Sequence, residues 1–334
     1  MQDKLLTIIV PTYNIEKYIT KCIESFKEVN KDYYNEFEVI VVNDGSTDNS
    51  EKVISDLMLD SNLDLRVISK ENGGHGSTIN RGIEEAKGKY FKVIDGDDWI
   101  NVDDFEKMIN NLQNIDVDMA ITNFTEQHVY NNTKVSINFN DELVRDKVVM
   151  DLPNRRIPMH ALTYRTSILK DNSIKISEKT FYVDMEYTLL PLKYVKNYIY
   201  YNLDVYQYFL GRADQSMNIN VMKEKYNHHN RVTRRILDLY AEIRENTKLE
   251  AVVSSALEYL INKQCLLFLV NDDKKSAYEL FEYSDKSNFK YMLSKDSKTT
   301  GLLYINYKTK KIFNFIIEPM INKKVKKLGE DYAN

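Results

Sequence analysis

Three carboxylates crowd into one four-residue turn of this 334-residue chain. They belong to Asp95, Asp97 and Asp98, and Gly96 between them permits a sharp turn. Because like charges this close repel one another, the cluster is favourable only beside a positive group. Oxygen ligands from a short acidic turn suit Mg²⁺ or Mn²⁺, which combine few carboxylates with substrate phosphates. The alternative is a solvated turn that caps a helix beginning near residue 101.

Three other polar segments contain residue types suited to binding a nucleotide. Asp44 stands where an acid often meets a ribose or a base edge, and Asn14 follows the first apolar run. The glycine-rich run 73–76 would let backbone amides approach a phosphate. Each also has a simpler explanation, since Asp44 and Asn14 are good helix N-caps and a glycine run is often an ordinary loop.

The apolar pattern places all four polar segments directly after strands. Continuous apolar runs predict four buried strands, and 3.6-residue spacing predicts helices between them. The strands are expected at 5–10, 37–42, 65–69 and 90–94, and the helices at 15–29, 50–59 and 77–87. This alternation is typical of an α/β protein with a mostly parallel sheet. Ligands bind beyond the carboxyl ends of such strands, so we expect the four segments to open on one edge.

Beyond residue 114 the regular alternation ends. We expect a further strand, a polar hairpin, a helix, a strand and then several helices, at 117–124, 126–140, 183–195, 198–209 and 222–285. The tail 306–334 carries seven lysines against three acids, a net charge of +4. Its mixture of large apolar residues and lysines fits an interfacial helix or, equally, the solvated face of a packed helix.

Familiar nucleotide motifs do not account for the first loop. A dinucleotide fingerprint would place GxGxxG after the first strand, where this chain has Pro-Thr-Tyr-Asn, and the sequence contains no GxxxxGK[ST] motif. A nucleotide site in this chain must therefore use side chains and a metal instead of a glycine cradle.

Composition limits the class of protein. The formal charge of −4 argues against a protein that wraps nucleic acid. We expect Cys22 and Cys265 to be buried reduced thiols, and we find neither a signal-peptide pattern nor a window of about 20 apolar residues. We therefore expect a cytoplasmic protein, or one held at the inner face of the membrane.

Taken together, the four loops resemble those of the family 2 glycosyltransferases of bacterial cell-envelope polysaccharide synthesis. The matching segments are IIVPTYN (8–14), FEVIVVNDGSTDNS (37–50), NGGHGSTINRGIEEAKGKYFKVIDGDDW (72–99), FYVDMEY (181–187) and GRADQSM (211–217). The resemblance implies the GT-A fold, a Rossmann-like mixed sheet flanked by helices, over residues 1–220. Residues 221–334 match no family we recognise and are expected to form a mostly helical region that contacts an acceptor, another copy or a membrane.

The resemblance also implies roles for the residues of the loops. Asp44 corresponds to the acid that accepts a hydrogen bond from uracil. The segments flanking the nucleotide contain Pro11, Tyr13, Asn14, Asn72, Gly73 and Gly74.

The turn Asp95-Gly96-Asp97 corresponds to the DxD motif of the family. Asp97 would hold a divalent metal, Mn²⁺ or Mg²⁺, on the diphosphate, with Asp95 at the sugar or as a second ligand. Asp98 would lie closer to the donor sugar. Arg212 and Gln215 correspond to a loop that closes over the diphosphate.

The second acidic motif of the family departs from its usual form. It is usually Glu-Asp, and here it is Val183-Asp184, so we expect Asp184 to be the general base and keep Glu186 as the alternative. His160 and Arg165 correspond to positions on the acceptor side, although structural contacts would explain them equally well.

The resemblance implies an inverting transfer of a sugar, from a nucleotide-diphosphate donor such as a UDP-sugar, to a hydroxyl of a glycan, lipid-linked or polymer acceptor. Two alternatives are a sugar-phosphate nucleotidyltransferase, whose basic glycine-rich loop is missing after strand one, and a non-catalytic nucleotide-sugar-binding protein. The processive QxxRW-type motif is also missing, which favours single addition.

Overall fold

A computed structural model describes residues 4–59, 62–211, 219–243, 247–291, 298–310, 312 and 314–331. The chain divides into two compact units, Met1–Arg212 and Ala213–Asn334. The division expected from the sequence, after residue 220, lies eight residues further along the chain than this boundary.

The first half of unit 1 is the expected parallel α/β layer. The strands are β1 (Leu6–Thr12), β2 (Phe37–Asn43), β3 (Leu65–Ser69) and β4 (Tyr90–Val93), and the helices between them are α1 (Ile19–Lys27), α2 (Ser50–Met58) and α3 (His75–Glu85). The strands lie in the order β3-β2-β1-β4 and all pair in parallel. Every residue of β1, β2 and β4 is buried, as expected for strands covered on both faces.

Two boundaries in this layer differ from the sequence expectation. β1 continues through Pro11, which is in register with Val42 of β2. α1 begins at Ile19 and not at residue 15, because the backbone amide of Ile15 donates to Ser50 Oγ at 2.9 Å. The backbone amides of Asn14, Ile15 and Glu16 all donate to side chains of the segment 46–50 after β2. Residues 14–16 therefore lie against that segment and precede the helix.

The second half of unit 1 makes the sheet mixed. Its strands are β5 (Trp99–Ile100), β6 (Met119–His128), β7 (Thr133–Ile137), β8 (Leu162–Arg165) and β9 (Tyr198–Leu210), and its helices are α4 (Val102–Gln113), α5 (Thr166–Asp171) and α6 (Asp184–Leu189). β4 pairs antiparallel with β8, β8 with β6, and β6 parallel with β9, while β5 lies antiparallel at the outer edge of β9. The expected hairpin is present, since β7 pairs antiparallel with β6. A mostly parallel sheet therefore describes the first half alone.

Unit 2 is helical, as expected, in its described residues. Its helices are α7 (Ile219–Glu224), α8 (Tyr226–Glu242), α9 (Thr247–Val270), α10 (Lys274–Lys286), α11 (Lys298–Lys308) and α12 (Asn314–Asp331). Contrary to expectation, one segment, Lys248–Val270, is long and apolar enough by length and composition to cross a membrane. Because 61% of its apolar window is buried inside the protein, the same composition suits a helix at the centre of a bundle. Cys265 within it and Cys22 of unit 1 are both free and buried, as expected.

Candidate active site

The carboxyl ends of β1, β2, β3 and β4 open on one edge of the sheet, as the alternation predicted. The loop after β2 reaches the loop after β3 through Asp44, whose carboxylate accepts hydrogen bonds from the amides of Gly73 (2.9 Å) and Gly74 (2.7 Å). Lys70 Nζ lies 2.7 Å from the same carboxylate, and Ser77 Oγ lies 3.2 Å from it. Asp44 is 2% exposed. It therefore organises the glycine-rich loop, and its contact with uracil stays a prediction.

The loop after β1 is tied to the loop after β2 by Asn14. Its backbone is left-handed, with φ 51°, a conformation that Asn tolerates better than most residues. Its Oδ1 accepts from the amide of Thr47 at 2.8 Å, and its own amide donates to Ser46 Oγ at 3.0 Å. Asn14 is therefore a loop tie and not the helix N-cap considered above. Tyr13 beside it is 49% exposed, so its ring is accessible at the rim of the site.

The acidic turn after β4 packs closely against the first loop. The amide of Gly96 donates to the carbonyl of Pro11 at 3.1 Å, and a Cβ at residue 96 would lie 2.4 Å from Ile15 Cδ1. Only glycine fits this approach, which brings the turn up to the loop predicted to bind the nucleotide. Asn72 lies nearby and donates through Nδ2 to the carbonyl of Asp44 at 3.0 Å.

Asp98 anchors the acidic turn to β9. It is 1% exposed, and its carboxylate accepts from the Tyr206 hydroxyl at 2.5 Å and from the amide of Phe209 at 2.7 Å. Burial, followed by the charges of Asp97 and Asp95, raises the pKa of Asp98 well above its usual range. Through these contacts Asp98 has a structural role, which the resemblance alone did not imply.

Asp95 is paired with a histidine from the glycine-rich loop. His75, the first residue of α3, places its Nε2 2.7 Å from Asp95 Oδ1. Burial lowers the pKa of His75, but the charge and hydrogen bond of Asp95 outweigh it, so the pKa is raised. In turn, burial raises the pKa of Asp95, and the positive charge of His75 more than offsets this, so its pKa lies below the usual value. An ion pair therefore links the β3 and β4 loops.

Asp95, Asp98 and His160 form a group that could hold a metal ion. One ligand atom from each lies within 4.8 Å of the others, and two carboxylates with one imidazole can bind a divalent transition metal such as Mn²⁺, whereas Mg²⁺ prefers oxygen ligands throughout. Nδ1 of His160 is buried without a hydrogen-bond partner in the described part of the chain. Of the two predicted metal ligands, Asp95 is a member of this group, and the other members are Asp98 and His160. Asp97, the ligand expected from the DxD motif, is not a member, and its role stays a prediction.

His160 is held in place by aromatic rings and by a buried lysine. Its ring stacks on Tyr208 with centroids 4.2 Å apart and meets Tyr206 edge-on at 4.8 Å. Lys92, fully buried on β4, donates through Nζ to the carbonyls of His160 (2.8 Å) and Leu162 (3.2 Å). Burial lowers the pKa of Lys92 to about 7 and that of His160 to about 4. His160 is therefore a neutral imidazole at pH 7, the form that binds metals.

The two candidate bases occupy different environments. Asp184 begins α6 and is partly buried, and it lies close enough to His75 and Arg156 to interact with their charges. Burial raises the pKa of Asp184, although Arg156 and His75 oppose the shift. Glu186 is fully buried and accepts a hydrogen bond from the amide of Ser177 at 2.8 Å. The structure therefore places Asp184 within reach of the charge of His75, the partner of Asp95, and gives Glu186 a structural contact.

The segment that carries Asp184 is clamped to α3. Asn80 of α3 accepts from the amide of Ile176 at 2.8 Å and donates to the carbonyl of the same residue at 2.9 Å. A Cβ at Gly76 would lie 2.2 Å from the carbonyl oxygen of Ser177, so only glycine allows this approach. The clamp fixes the distance between the glycine-rich loop and α6.

One predicted residue, Arg165, does not join the site, and two others cannot be placed. Arg165 forms ion pairs with Asp116 at 2.8 Å and Asp118 at 3.3 Å, which is the structural explanation considered for it. Arg212 and Gln215 lie outside the described residues.

Sequence reasoning missed four contributors to the site: His75, Lys70, Lys92 and Tyr206. His75 was visible within the glycine-rich run and Lys70 lies three residues before that run, so a polar loop with two basic residues was a detectable signal. Tyr206 reaches the acidic turn from more than 100 residues away, and Lys92 is a single charged residue within an apolar run. Neither carries a local signal of its contact.

Comparison with known proteins agrees with this geometry. Residues 7–170 match the model of glycosyl transferase family 2, which covers the strands and loops described above as far as α5. Residues 7–170 belong to glycosyltransferase family 2. The family expected from the loop motifs is therefore confirmed.

Two similar proteins are bacterial. Glycosyltransferase GlyG of Streptococcus pneumoniae is 33% identical over 161 residues, 46% of this chain and 50% of GlyG. The teichoic acid poly(glycerol phosphate) polymerase of Staphylococcus epidermidis is 30% identical over 242 residues, 66% of this chain and 31% of the polymerase. The chain thus spans half or less of the length of both relatives.

Solved structures support the fold. The crystal structure of S. aureus TarS 1-349 in complex with UDP-GlcNAc superposes with a TM-score of 0.65 at 20% identity, covering 96% of this chain and 92% of that one. The mannosyltransferase PcManGT from Pyrobaculum calidifontis, in complex with GDP-Man and Mn²⁺, gives 0.52 at 15% identity, covering 92% and 87%. The GT-A-like mixed sheet with a helical C-terminal region is confirmed.

Proposed function

We propose that the chain is an inverting glycosyltransferase that moves a sugar from a UDP-sugar to a hydroxyl of a cell-envelope polymer, glycan or lipid-linked acceptor. The observation that carries the proposal is that His75, from the loop that Asp44 organises, interacts with both Asp95 and Asp184. The named activities of relatives support it, since one makes poly(glycerol phosphate) and TarS is named a poly(ribitol-phosphate) β-N-acetylglucosaminyltransferase.

We assign the nucleotide to the loops after β1, β2 and β3. Tyr13 offers an exposed ring, and Asp44 holds the backbone of Gly73 and Gly74 in a fixed position. A carboxylate has about four acceptor sites, and Asp44 already receives four donors, so a base would take the place of a side-chain donor, Lys70 or Ser77. The UDP-GlcNAc bound by TarS 1-349 supports a UDP-sugar as donor.

We assign a divalent cation, Mn²⁺ or Mg²⁺, to Asp95, Asp98 and His160, with Asp97 as the ligand predicted from the motif. A cation bound there would offset negative charge on the departing diphosphate. The Mn²⁺ in the PcManGT complex supports this choice of metal. His75 would add positive charge beside Asp95, and Arg212 is proposed to do the same at the diphosphate.

Asp184 is proposed to accept the proton of the acceptor hydroxyl. As that proton leaves, the acceptor oxygen forms a bond to the anomeric carbon, and the bond from that carbon to the diphosphate oxygen breaks on the opposite face. The partly buried position of Asp184 raises its pKa, which makes it a better proton acceptor than a solvated aspartate. Glu186 accepts a hydrogen bond from the amide of Ser177, so we assign it a structural role.

A nucleotide-sugar screen tests the proposal. The chain is mixed with MnCl₂ and a panel of UDP-, GDP- and ADP-sugars, and thermal stabilisation and nucleotide release are measured. We expect one UDP-sugar to stabilise the chain and to give slow release of UDP. Release of pyrophosphate from a sugar phosphate and UTP would indicate a nucleotidyltransferase, and stabilisation without any release, even with polymer acceptors, would indicate a binding protein.

We also propose that the reaction takes place in the cytoplasm or at the inner face of the membrane. The free, buried thiols of Cys22 and Cys265 support a reducing compartment.

A further inference from the structure

The last helix of unit 2 exposes a cluster of large apolar side chains. Phe315 is 75% exposed, Ile316 51% and Met320 47%, and Ile312 just before the helix is 69% exposed. Positions 315, 316 and 320 follow the spacing of one face of α12, and position 312 lies two residues before the helix. Single exposed apolar residues are ordinary, but a contiguous cluster on one face marks an interaction surface.

The opposite side of α12 fixes this orientation. Ile317 is 6% exposed and Ile321 is 1% exposed, so both are buried in unit 2. Lys274 of α10 binds two polar residues of α12, with Nζ 3.1 Å from Glu318 Oε1 and 2.9 Å from Asn322 Oδ1. The helix would have to break these contacts to turn Phe315 inward.

Charge identifies the surface that this face would meet. The tail 306–334 has a net charge of +4 in a chain whose formal charge is −4. Lys323 is exposed on α12, and the sequence adds lysines at 324, 326 and 327. A second copy of the chain would bring two such tails together, and like charges disfavour that contact. An anionic surface with an apolar interior offers the complementary partner.

We propose that α12 lies in the interface of an anionic lipid bilayer, with Phe315, Ile316 and Met320 at the boundary between headgroups and acyl chains. Lys323, exposed on the same helix, contacts a lipid phosphate. Interfacial helices are held by this combination of an apolar face with basic residues. The inference rests on α12 alone and is independent of the donor and of the acid cluster.

Vesicle sedimentation of the full chain tests the inference. The vesicles contain either phosphatidylcholine alone or equal amounts of phosphatidylcholine and phosphatidylglycerol. We expect pelleting with the anionic vesicles and little with neutral ones, and a loss of pelleting at high salt. Replacing Lys323 and Lys324 by Gln should lower the partition coefficient about fivefold per lysine.

A pair of matched variants distinguishes insertion of α12 into the bilayer from nonspecific adsorption to the vesicles. Phe315→Asp should lower the partition coefficient about tenfold or more, because it removes the aromatic ring that the bilayer would bury and adds a negative charge. Leu59→Asp changes an equally exposed residue of unit 1, 81% exposed, and should pellet like the unmodified chain. Circular dichroism confirms that both variants are folded.

Three results would overturn the inference. They are equal pelleting with neutral and anionic vesicles, no pelleting with either, and unchanged pelleting of Phe315→Asp. If the chain does not pellet with vesicles but forms concentration-dependent dimers, and Phe315→Asp abolishes those dimers, then a second copy covers the face.

Discussion

Removing one hydroxyl, in Tyr206→Phe, should loosen the acidic turn from β9. The Tyr206 hydroxyl donates to Asp98 Oδ2 at 2.5 Å and accepts from the amide of Asp95 at 3.1 Å. Loss of a hydrogen bond costs about 0.5–1.5 kcal/mol when the partner is neutral and about 1.5–3 kcal/mol when it is charged, and an unsatisfied buried amide costs about 1–3 kcal/mol. Because the turn relaxes in part, we expect a loss of about 2–4 kcal/mol in the free energy of unfolding of unit 1.

Urea denaturation followed by tyrosine and tryptophan fluorescence measures this loss. Tyr208→Phe is the matched control, since it removes a hydroxyl two residues along the same strand while keeping the ring that stacks on His160. Mn²⁺ titration of the folded variants then reports on the turn. We expect Tyr206→Phe to bind the ion about 10–100-fold more weakly, as is usual when a residue that orients metal ligands is lost.

Equal urea midpoints and equal Mn²⁺ affinities for Tyr206→Phe and Tyr208→Phe would refute this reasoning. Asp98 would then not depend on β9 for its position. A loss of stability without a loss of Mn²⁺ affinity would show that the turn is structural and that the ion binds elsewhere.

Three further predictions follow from the site and from unit 2. Asp184→Asn should keep donor affinity and lose about 10²–10⁴-fold in transfer rate, while Glu186→Gln should lower stability more than rate. Calorimetry measures the donor affinity, and UDP release measures the transfer rate. A fast Asp184→Asn enzyme would exclude Asp184 as the base. Asp95→Asn, like EDTA, should weaken UDP-sugar binding in calorimetry, and unchanged affinity would contradict the metal assignment. His229, buried with a pKa of about 4 against about 6.5 unfolded, should make unit 2 less stable as pH falls from 6.5 to 4, by about 3 kcal/mol in urea melts. The unfolded chain binds the extra proton in that window, so stability that does not change with pH there would contradict the burial of His229.

The sequence was sufficient for the parallel half of the sheet and for the edge where the loops meet. Runs such as 37–42 are continuously apolar because both faces of the strand are covered, and polar residues begin where the strand ends. That pattern is local, so it could be read without a structure.

The contacts that complete the site were not predictable because they join distant segments. Tyr206 and Asp98 are 108 residues apart, and Lys92 is a charged residue inside a buried strand whose partners are backbone carbonyls of the 160–162 segment. The late start of α1 has the same origin, since Ser50 captures the amide of Ile15. In each case a long-range hydrogen bond decides the structure, and no periodicity reports it.

The resemblance to a family assigned roles more finely than the residues themselves allow. It named Asp97 as the metal ligand, whereas the group that the structure brings together contains Asp95, Asp98 and His160. It also left Asp184 and Glu186 as rivals, and burial with the Ser177 contact separates them. Geometry was needed for both distinctions.

A crystal structure of the chain with UDP and Mn²⁺ tests the central claim most directly. We expect the uridine beside Asp44 and Tyr13, the ion bound by carboxylates of the turn 95–98 and by the diphosphate of UDP, and the space for the sugar between the diphosphate and Asp184. Uridine or the ion bound away from this edge of the sheet, for example beside Arg165, would contradict it.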